Sequence, residues 1–349
     1  MSEGKPERYI IFGAGAIGIA VGALLLNLGK RVAFIARPIF ADALKRGVTI
    51  KQEDREVFCQ AEAVTAANQL RYQPGDVVVV TVKSQVMREA IEELAAACDK
   101  RIPVVCLQNG VSNEAVAAEH FENVYAALVL FSAVQLDPQL ITMPRGRSIA
   151  IGLYPDRVDK LLQAICEDLA QSGFEALASP YVMAMKWGKL IANLNNATHA
   201  ITGYWVELGA ADPEMRELTI AVREEGMRTL AAAGIAAEPP EAEPSPIRIS
   251  KWTERIRQTR QPLDEALQLP EPLRTYASMH QDLMLGRKTH EADYLNGEII
   301  KLGKRLNLPT PYNSALLEIV NRMFTEGLQA GIHTPAELHA LIKNRANQT

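Results

Sequence analysis

The sequence has few cysteines and no cluster of metal-binding side chains. The four cysteines lie far apart and show no CxxC spacing: Cys59, Cys98, Cys106 and Cys166. Adjacent His290 and Glu291 lack the second histidine of a zinc-binding helix. We therefore expect no bound metal, and we interpret the cysteines as small apolar residues of a protein in the reducing cytoplasm.

The sequence also lacks a marked excess of either charge. Its 37 Lys and Arg residues against 41 Asp and Glu residues give a net charge of -4, so nothing indicates a nucleic-acid partner. Residues 9–29 carry no charge at all, and a stretch of this length suggests a membrane span or a signal segment. Four glycines interrupt that stretch, and no clean cleavage pattern ends it. We therefore expect a soluble, cytoplasmic protein with no membrane partner.

Residues 9–37 follow the pattern of a dinucleotide-binding unit instead. A short apolar run predicts a strand, the uncharged run to Leu28 predicts a helix, and a second apolar run predicts another strand. The turn between the first strand and the helix is Gly13, Ala14, Gly15, Ala16, Ile17 and Gly18. In this context the G-x-G-x-x-G spacing favours dinucleotide binding, with the pyrophosphate at the helix N-terminus. The alternative is a glycine-rich turn that only packs against the sheet.

The end of the second predicted strand indicates which dinucleotide binds. An NAD-binding unit usually has Asp or Glu there, to accept a hydrogen bond from the ribose 2′-OH. This chain has Ala36-Arg37, and a guanidinium pairs with a 2′-phosphate in bidentate fashion. We therefore expect NADP(H) to be the cofactor. The alternative is that Arg37 is only a solvated charge.

Two further polar residues follow predicted central strands. Lys83 comes after the run Val77 to Val82, and Asn109 comes after the run Pro103 to Leu107. Ligands of open α/β sheets bind beyond the carboxyl ends of the strands, where both residues would lie. A loop charge at Lys83 and a turn residue before Gly110 are the alternatives.

Ser179-Pro180 predicts the boundary between two domains. We expect a Rossmann-type α/β domain over residues 1–179 and an all-α domain over residues 180–349. A single helix from about Tyr181 to Ile201 would open the second domain, with Lys189, Asn193 and Asn196 on one polar stripe. This stripe could face a carbonyl substrate or be an ordinary solvated face.

These stretches together resemble the ketopantoate reductase family, which reduces 2-dehydropantoate to pantoate with NADPH on the way to pantothenate. The matching pieces occur in the family's order and span about residues 9–315: GAGAIG, Arg37, TVKSQ, LQNG, KWGKLIANLNNA, SMHQD, GRKTHEADYLNG and LPTPYN. The resemblance implies an NADP-dependent oxidoreductase acting on a small 2-keto acid.

The resemblance also implies roles for individual residues. Lys189 matches the general acid, and Glu291 matches a second polar residue at the reaction centre that contacts cofactor or substrate. Further cofactor contacts are implied at Arg37, Lys83, Asn109 and the backbone of Ala133. Further substrate contacts are implied at Asn109, Asn193, Asn196 and Ser278.

Two departures from the family pattern lie in the implied substrate region. Asn196 stands one place before the expected second asparagine, where this chain has Ala197, and His290 lengthens the run from Ser278 to Glu291 by one residue. These departures keep one alternative open, a related NADP-dependent reductase of another 2-keto acid or an imine. A non-catalytic NADP-binding regulator is the alternative from outside the enzymes. A homodimer is compatible with the sequence.

Overall fold

A computed structural model describes residues 4–144, 146–259 and 262–346 of the chain. Contacts divide the chain into two compact units, the first ending at Lys186 and the second beginning at Trp187. This division falls inside a helix, further along the chain than Ser179. The boundary that we place at Ser179-Pro180 from the sequence stays a prediction.

The described part of the first unit contains strands in two sheets. Their bounds are β1 (Arg8–Phe12), β2 (Arg31–Ile35), β3 (Val48–Gln52), β4 (Glu56–Cys59), β5 (Glu62–Val64), β6 (Asp76–Val80), β7 (Val104–Cys106), β8 (Val124–Leu130), β9 (Val134–Asp137), β10 (Leu140–Met143), β11 (Ser148–Leu153) and β12 (Glu175–Ala178). The larger sheet has the order β12-β11-β8-β7-β6-β1-β2-β5, and the smaller has the order β4-β3-β10-β9.

The larger sheet confirms the predicted Rossmann-type fold. From β5 to β8 its strands are parallel, and their order is the 3-2-1-4-5-6 order of a dinucleotide-binding sheet. Only β11 runs antiparallel to its neighbour β8 within this sheet. The strand order reverses between β1 and β6, and this reversal places the ligand crevice beyond their carboxyl ends.

Strand β1 is buried on both faces of the sheet, as expected for an unbroken apolar run. Tyr9 and Ile11 enter one core cluster, and Ile10 and Phe12 enter the other. Helices cover the two faces: α1 (Ala16–Asn27), α2 (Pro38–Arg46), α3 (Met87–Ala97), α4 (Asn113–Ala118) and α5 (Lys160–Gln171). Because these strands are parallel, the loops after β1, β2, β6 and β7 lie at the same edge of the sheet.

Every regular element described from residue 187 onward is helical, which confirms the predicted all-α second region. The helices are α6 (Val182–Asn193), which spans the division, α7 (Asn196–Thr202), α8 (Val206–Ala211), α9 (Pro213–Ala232), α10 (Ile249–Gln258), α11 (Leu263–Leu267), α12 (Ser278–Met284), α13 (Asn296–Leu306), α14 (Pro311–Glu326) and α15 (Pro335–Ala346). Single 3₁₀ turns lie at Glu271–Leu273 and Ala292–Tyr294.

The prediction of a single helix from Tyr181 to Ile201 is wrong in one respect. The structure breaks it at Leu194 and Asn195, so that Asn193 ends α6 and Asn196 begins α7. Neither residue at the break is Gly or Pro. Asn195 is a residue type that often follows a helix, but Asn193 and Asn196 give the same signal, so the local sequence does not locate the break.

Among the residues that the structure describes, no helix is both long enough and apolar enough to cross a membrane. Helix α1 covers most of the uncharged stretch, but its 12 residues are too few for a span.

Candidate active site

The glycine turn after β1 is shaped by two close approaches. Gly13 has φ +114°, a backbone conformation that glycine adopts readily, and its carbonyl accepts a hydrogen bond from Thr81 Oγ1 at 2.5 Å. A Cβ atom on Gly18 would lie 2.1 Å from the Gly13 carbonyl oxygen and 2.4 Å from Thr81 Oγ1. Gly18 therefore lets α1 start directly against the turn and against the loop after β6.

The start of α1 has room and suitable charge for a pyrophosphate. Gly15 is the N-cap residue of the helix and is exposed, and a Cβ atom there would meet nothing within 4 Å. The first turn of α1 contains no acidic residue. Because helix N-termini attract phosphate groups, the turn from Gly13 to Gly18 fits a dinucleotide. The individual cofactor contacts of Ala14, Ala16 and Ile17 stay predictions.

Arg37 lies beyond the carboxyl end of β2 and is the N-cap residue of α2. Its side chain is exposed, and its guanidinium lies 5.0 Å from the centre of the Phe40 ring. This cation–π contact restricts the guanidinium while leaving its charge in solvent. The arrangement fits a site for a ribose phosphate, which is the expected role of this residue.

The loops after β6 and β7 are tied together by hydrogen bonds. The backbone carbonyl of Asn109 accepts from Asn113 Nδ2 at 2.8 Å and from Ser84 Oγ at 3.3 Å. Asn113 Nδ2 also donates to Ser84 Oγ at 3.2 Å. Ser84 directly follows Lys83, so these bonds hold the Lys83 and Asn109 segments together at one edge of the sheet.

Ala133 lies in the chain segment that joins β8 of the larger sheet to β9 of the smaller sheet, directly before β9. It is half-buried and packs against the larger core cluster. The backbone contact to the cofactor implied there stays a prediction.

Two charged residues that the sequence analysis did not single out, Lys186 and Glu114, lie next to the loop that follows β7. Lys186 Nζ pairs with Glu114 Oε1 and donates to the Gln108 carbonyl at 3.2 Å. Both charged side chains are almost completely buried. Glu114 follows the LQNG segment within α4, but a single acidic residue there gives no sequence signal for a buried partner 72 residues away.

In the second unit, Lys189 and Asn193 lie one turn apart on α6, and both are half-buried. Residues four apart on a helix face the same way, so this half of the predicted polar stripe is present. The prediction that Asn196 continues this stripe is wrong, because the helix breaks after Asn193. Because Asn196 belongs to α7, it does not continue the regular spacing.

Asn196 instead forms a pair with Ser278, which lies at the start of α12. Asn196 Nδ2 donates to Ser278 Oγ at 3.1 Å. Ala197, at the position where the family's second asparagine is expected, has 0% of its surface exposed. Asn196, rather than position 197, therefore presents its amide beside another predicted substrate residue.

Glu291 directly precedes the 3₁₀ turn Ala292–Tyr294 and is half-buried. The neighbouring His290 is held in place, because its ring packs 4.6 Å from the Phe324 ring and its Nδ1 accepts from the Ala292 N–H at 3.2 Å. The extra residue is thus built into the fold of this segment. The expected catalytic role of Glu291 stays a prediction.

One group in the described ranges could present ligands to a metal ion. Glu214, Glu217 and His339 have ligand atoms within 4.8 Å of one another. Both glutamates are exposed, and His339 Nε2 lies 3.3 Å from Tyr312 Oη. Exposed acidic groups of this kind occur without metal, and the expectation of no bound metal stays a prediction.

Comparison with known proteins identifies a family that covers both units. The family described as "Ketopantoate reductase PanE/ApbA" matches residues 9–156, and the family described as "Ketopantoate reductase PanE/ApbA C terminal" matches residues 181–324. A 2-dehydropantoate 2-reductase of Pyrococcus horikoshii is 31% identical over 321 residues, which cover 90% of this chain and 96% of the relative.

Solved structures share the fold over the same extent. A PanE/ApbA family ketopantoate reductase from Ralstonia eutropha is 26% identical with a TM-score of 0.77, covering 92% of this chain and 99% of that one. A D-mandelate dehydrogenase solved with NADH and anilino(oxo)acetate has a TM-score of 0.76 over the same shares, and its 21% identity supports the fold alone.

Proposed function

This chain belongs to the ketopantoate reductase family of oxidoreductases, and we propose that it reduces 2-dehydropantoate to pantoate with NADPH. The observation that carries the proposal is the 31% identity to a 2-dehydropantoate 2-reductase over nine-tenths of the chain. Membership in this family makes the chain an enzyme, so the alternative of a non-catalytic regulator is dropped.

The preference for NADPH rests on Arg37. The first residues beyond β2 carry a guanidinium and no carboxylate, so a 2′-phosphate would be attracted rather than repelled. Phe40 restricts that guanidinium from one side. The bound cofactor supplies the hydride, and this chain supplies its position and the surrounding charge.

Lys189 is the proposed general acid. Negative charge develops on the keto oxygen during reduction, and an ammonium group stabilises that charge and then donates its proton. Asn193 presents an amide one turn further along α6, suited to the hydroxyl or carboxylate oxygens of the substrate. Asn196 and Ser278 form a second polar pair for the same purpose, and Glu291 supplies a further polar group.

A reductase of another 2-keto acid is the second candidate. It is favoured by one observation in this chain, the buried Ala197 in place of the family's second asparagine.

The test is nicotinamide absorbance with 2-dehydropantoate as substrate, NADPH as cofactor and NADH as the cofactor control. We expect rapid turnover that depends on NADPH, and we expect Lys189→Ala to bind NADPH normally but to lose about 100-fold or more in turnover. Lys251→Ala, an exposed lysine change on α10, is the matched control. Faster turnover of pyruvate-like 2-keto acids would transfer the assignment to the second candidate.

We further propose that the enzyme works in the reducing cytoplasm as a homodimer. All four cysteines are free thiols in the structure, as expected in that compartment. Sedimentation analysis of the purified protein tests the assembly.

A further inference from the structure

The break between α6 and α7 separates two of the proposed substrate residues. In an unbroken helix the Leu194 carbonyl would accept a hydrogen bond from the backbone N–H four residues later. Here it accepts a hydrogen bond from Asn296 Nδ2 at 3.2 Å. A buried side chain 102 residues away in sequence therefore satisfies a backbone group at the break.

Asn296 is itself held by a buried partner on α14. Its Nδ2 also donates to Asn313 Oδ1 at 2.9 Å, and both asparagines have 0% of their surface exposed. The two hydrogens of one amide group thus go to the Asn313 side chain and to the Leu194 carbonyl. Turning the amide of Asn296 over would present an oxygen to both acceptors.

A carboxylate sets the direction of this chain of hydrogen bonds. Glu225 on α9 is 1% exposed. Its Oε1 accepts from the Asn313 backbone N–H and from Asn313 Nδ2, each at 2.8 Å, and its Oε2 accepts from the Tyr312 N–H at 2.9 Å. Because an ionised carboxylate only accepts, Asn313 must turn its NH₂ group to Glu225 and its oxygen to Asn296.

The position of Glu225 is favourable for a buried charge. Burial raises the pKa of this carboxyl, while the three N–H donors from Tyr312 and Asn313 oppose the rise. These donors lie in the first turn of α14, a 16-residue helix whose N-terminus attracts negative charge. Asn296 belongs to the family segment GRKTHEADYLNG and Asn313 to LPTPYN, and the proposed reaction assigns neither asparagine a role.

We propose that Glu225, Asn313 and Asn296 are positioning residues that hold the α6–α7 break and so set how Asn193 and Asn196 meet the 2-keto acid. This inference rests on the proposed function, which makes Asn193 and Asn196 substrate residues. The three residues act through the backbone at Leu194, and the proposed reaction assigns none of them a contact with cofactor or substrate.

Two variants test the proposal. Glu225→Gln keeps the size of the side chain but places an NH₂ group against N–H donors, and Asn296→Ala removes the bond to Leu194. We expect each to raise KM for the 2-keto acid by about ten-fold, because small misplacements of substrate-positioning groups are costly, with an unchanged Kd for NADPH. The double variant should be little worse than either single variant, since both interrupt one chain of bonds.

The control is Leu302→Ala, which would create a cavity at the buried face of α13. It should lower thermal stability while leaving KM unchanged, and this separates positioning from a general loss of stability. Unchanged KM in both test variants, or an equal rise of KM in Leu302→Ala, would overturn the proposal.

Hydrogen exchange provides a readout that does not depend on turnover. The amides of residues 194–199 should exchange faster in Asn296→Ala than in wild type, while those in the middle of α9 stay protected. Equal protection of residues 194–199 would overturn the proposal even if no 2-keto acid is reduced. Absence of turnover in the wild type, with the exchange result as expected, would instead contradict only the proposed substrate.

Discussion

Lys186 and Glu114 form an ion pair that is almost completely withdrawn from water, with 2% and 0% of their side chains exposed. Lys186 lies in the first half of α6, one turn before Lys189, and Glu114 lies in α4 behind the Asn109 loop. The pair therefore fixes the start of the helix that carries the proposed general acid. Burying two charges is costly, and such a pair is more informative about position than about stability.

Replacing one partner of this ion pair should destabilise the protein more than replacing both partners. Lys186→Met would leave Glu114 charged and unpaired in the interior, and we expect a loss of roughly 3–5 kcal/mol in the free energy of unfolding. Adding Glu114→Leu should restore most of that loss, because no buried charge remains. Urea denaturation of the two variants measures both values. A double variant as unstable as the single one would contradict this account.

Arg37→Ala should change the choice between the two nicotinamide cofactors. We expect KM for NADPH to rise by about ten- to a hundred-fold, with KM for NADH nearly unchanged, because only NADPH carries the phosphate that the guanidinium would bind. Phe40→Ala should give a smaller shift in the same direction, since the cation–π contact contributes about 0.5–1 kcal/mol. Steady-state kinetics with both cofactors provide the measurement.

The control for these variants is Arg31→Ala, an exposed arginine at the opposite end of β2. It should leave both KM values unchanged. An equal loss of affinity for NADPH and NADH in Arg37→Ala would show that Arg37 supports the loop rather than the 2′-phosphate.

Gly18→Ala should weaken dinucleotide binding strongly. The added methyl group would lie 2.1 Å from the Gly13 carbonyl oxygen, and the backbone there cannot yield without moving the turn away from α1. We expect Kd for NADPH to rise by about a hundred-fold, measured by fluorescence titration. Ala20→Gly, in the same helix, should cost about 1 kcal/mol of stability and leave Kd unchanged.

The second unit should lose stability in mild acid through His199. Burial, with smaller effects of His280 and Arg223, lowers the pKa of this imidazole from about 6.5 to about 4, and the hydrogen bond to the Tyr204 carbonyl opposes the shift. The unfolded chain therefore takes up a proton first as the pH falls. The free energy of unfolding therefore falls progressively between about pH 6.5 and pH 4, by roughly 1–3 kcal/mol in total.

Thermal unfolding measured across that pH window tests the titration. His199→Asn keeps an N–H donor near the Tyr204 carbonyl but does not titrate, so its acid slope should be shallower. The same slope in both proteins would assign the acid sensitivity to other groups, among them His280, whose pKa burial also lowers.

Local sequence patterns were sufficient to predict the strand–turn–helix–strand unit of residues 9–35; dinucleotide binding by this unit stays a prediction. The glycine spacing of the turn from Gly13 to Gly18 and its strand–helix–strand context are visible in about thirty residues, although the contacts of the turn with Thr81 are not. The apolar runs that became β1 and β6 are buried on both faces, and such runs are recognisable from composition alone.

The substrate half depends on contacts between distant residues, which a single sequence does not reveal. The break at Leu194 and Asn195 is supported by Asn296, 102 residues further along the chain, and the asparagines of the segment do not by themselves locate a helix end. Local reasoning therefore extends α6 through Asn196 and misplaces that side chain. The pair of Lys186 and Glu114 was missed for the same reason, since neither residue has a local signature of burial.

The distribution of two rare residue types gives each unit its own natural probe. All four cysteines lie before residue 187, and all three tryptophans, Trp187, Trp205 and Trp252, lie in the second unit. Burial raises the pKa of Cys59 to about 11 and those of Cys98 and Cys166 to about 12, so these thiols react slowly while the first unit is folded. Thiol labelling therefore reports opening of the first unit, while indole fluorescence in the same cuvette reports the helical second unit, without any introduced label.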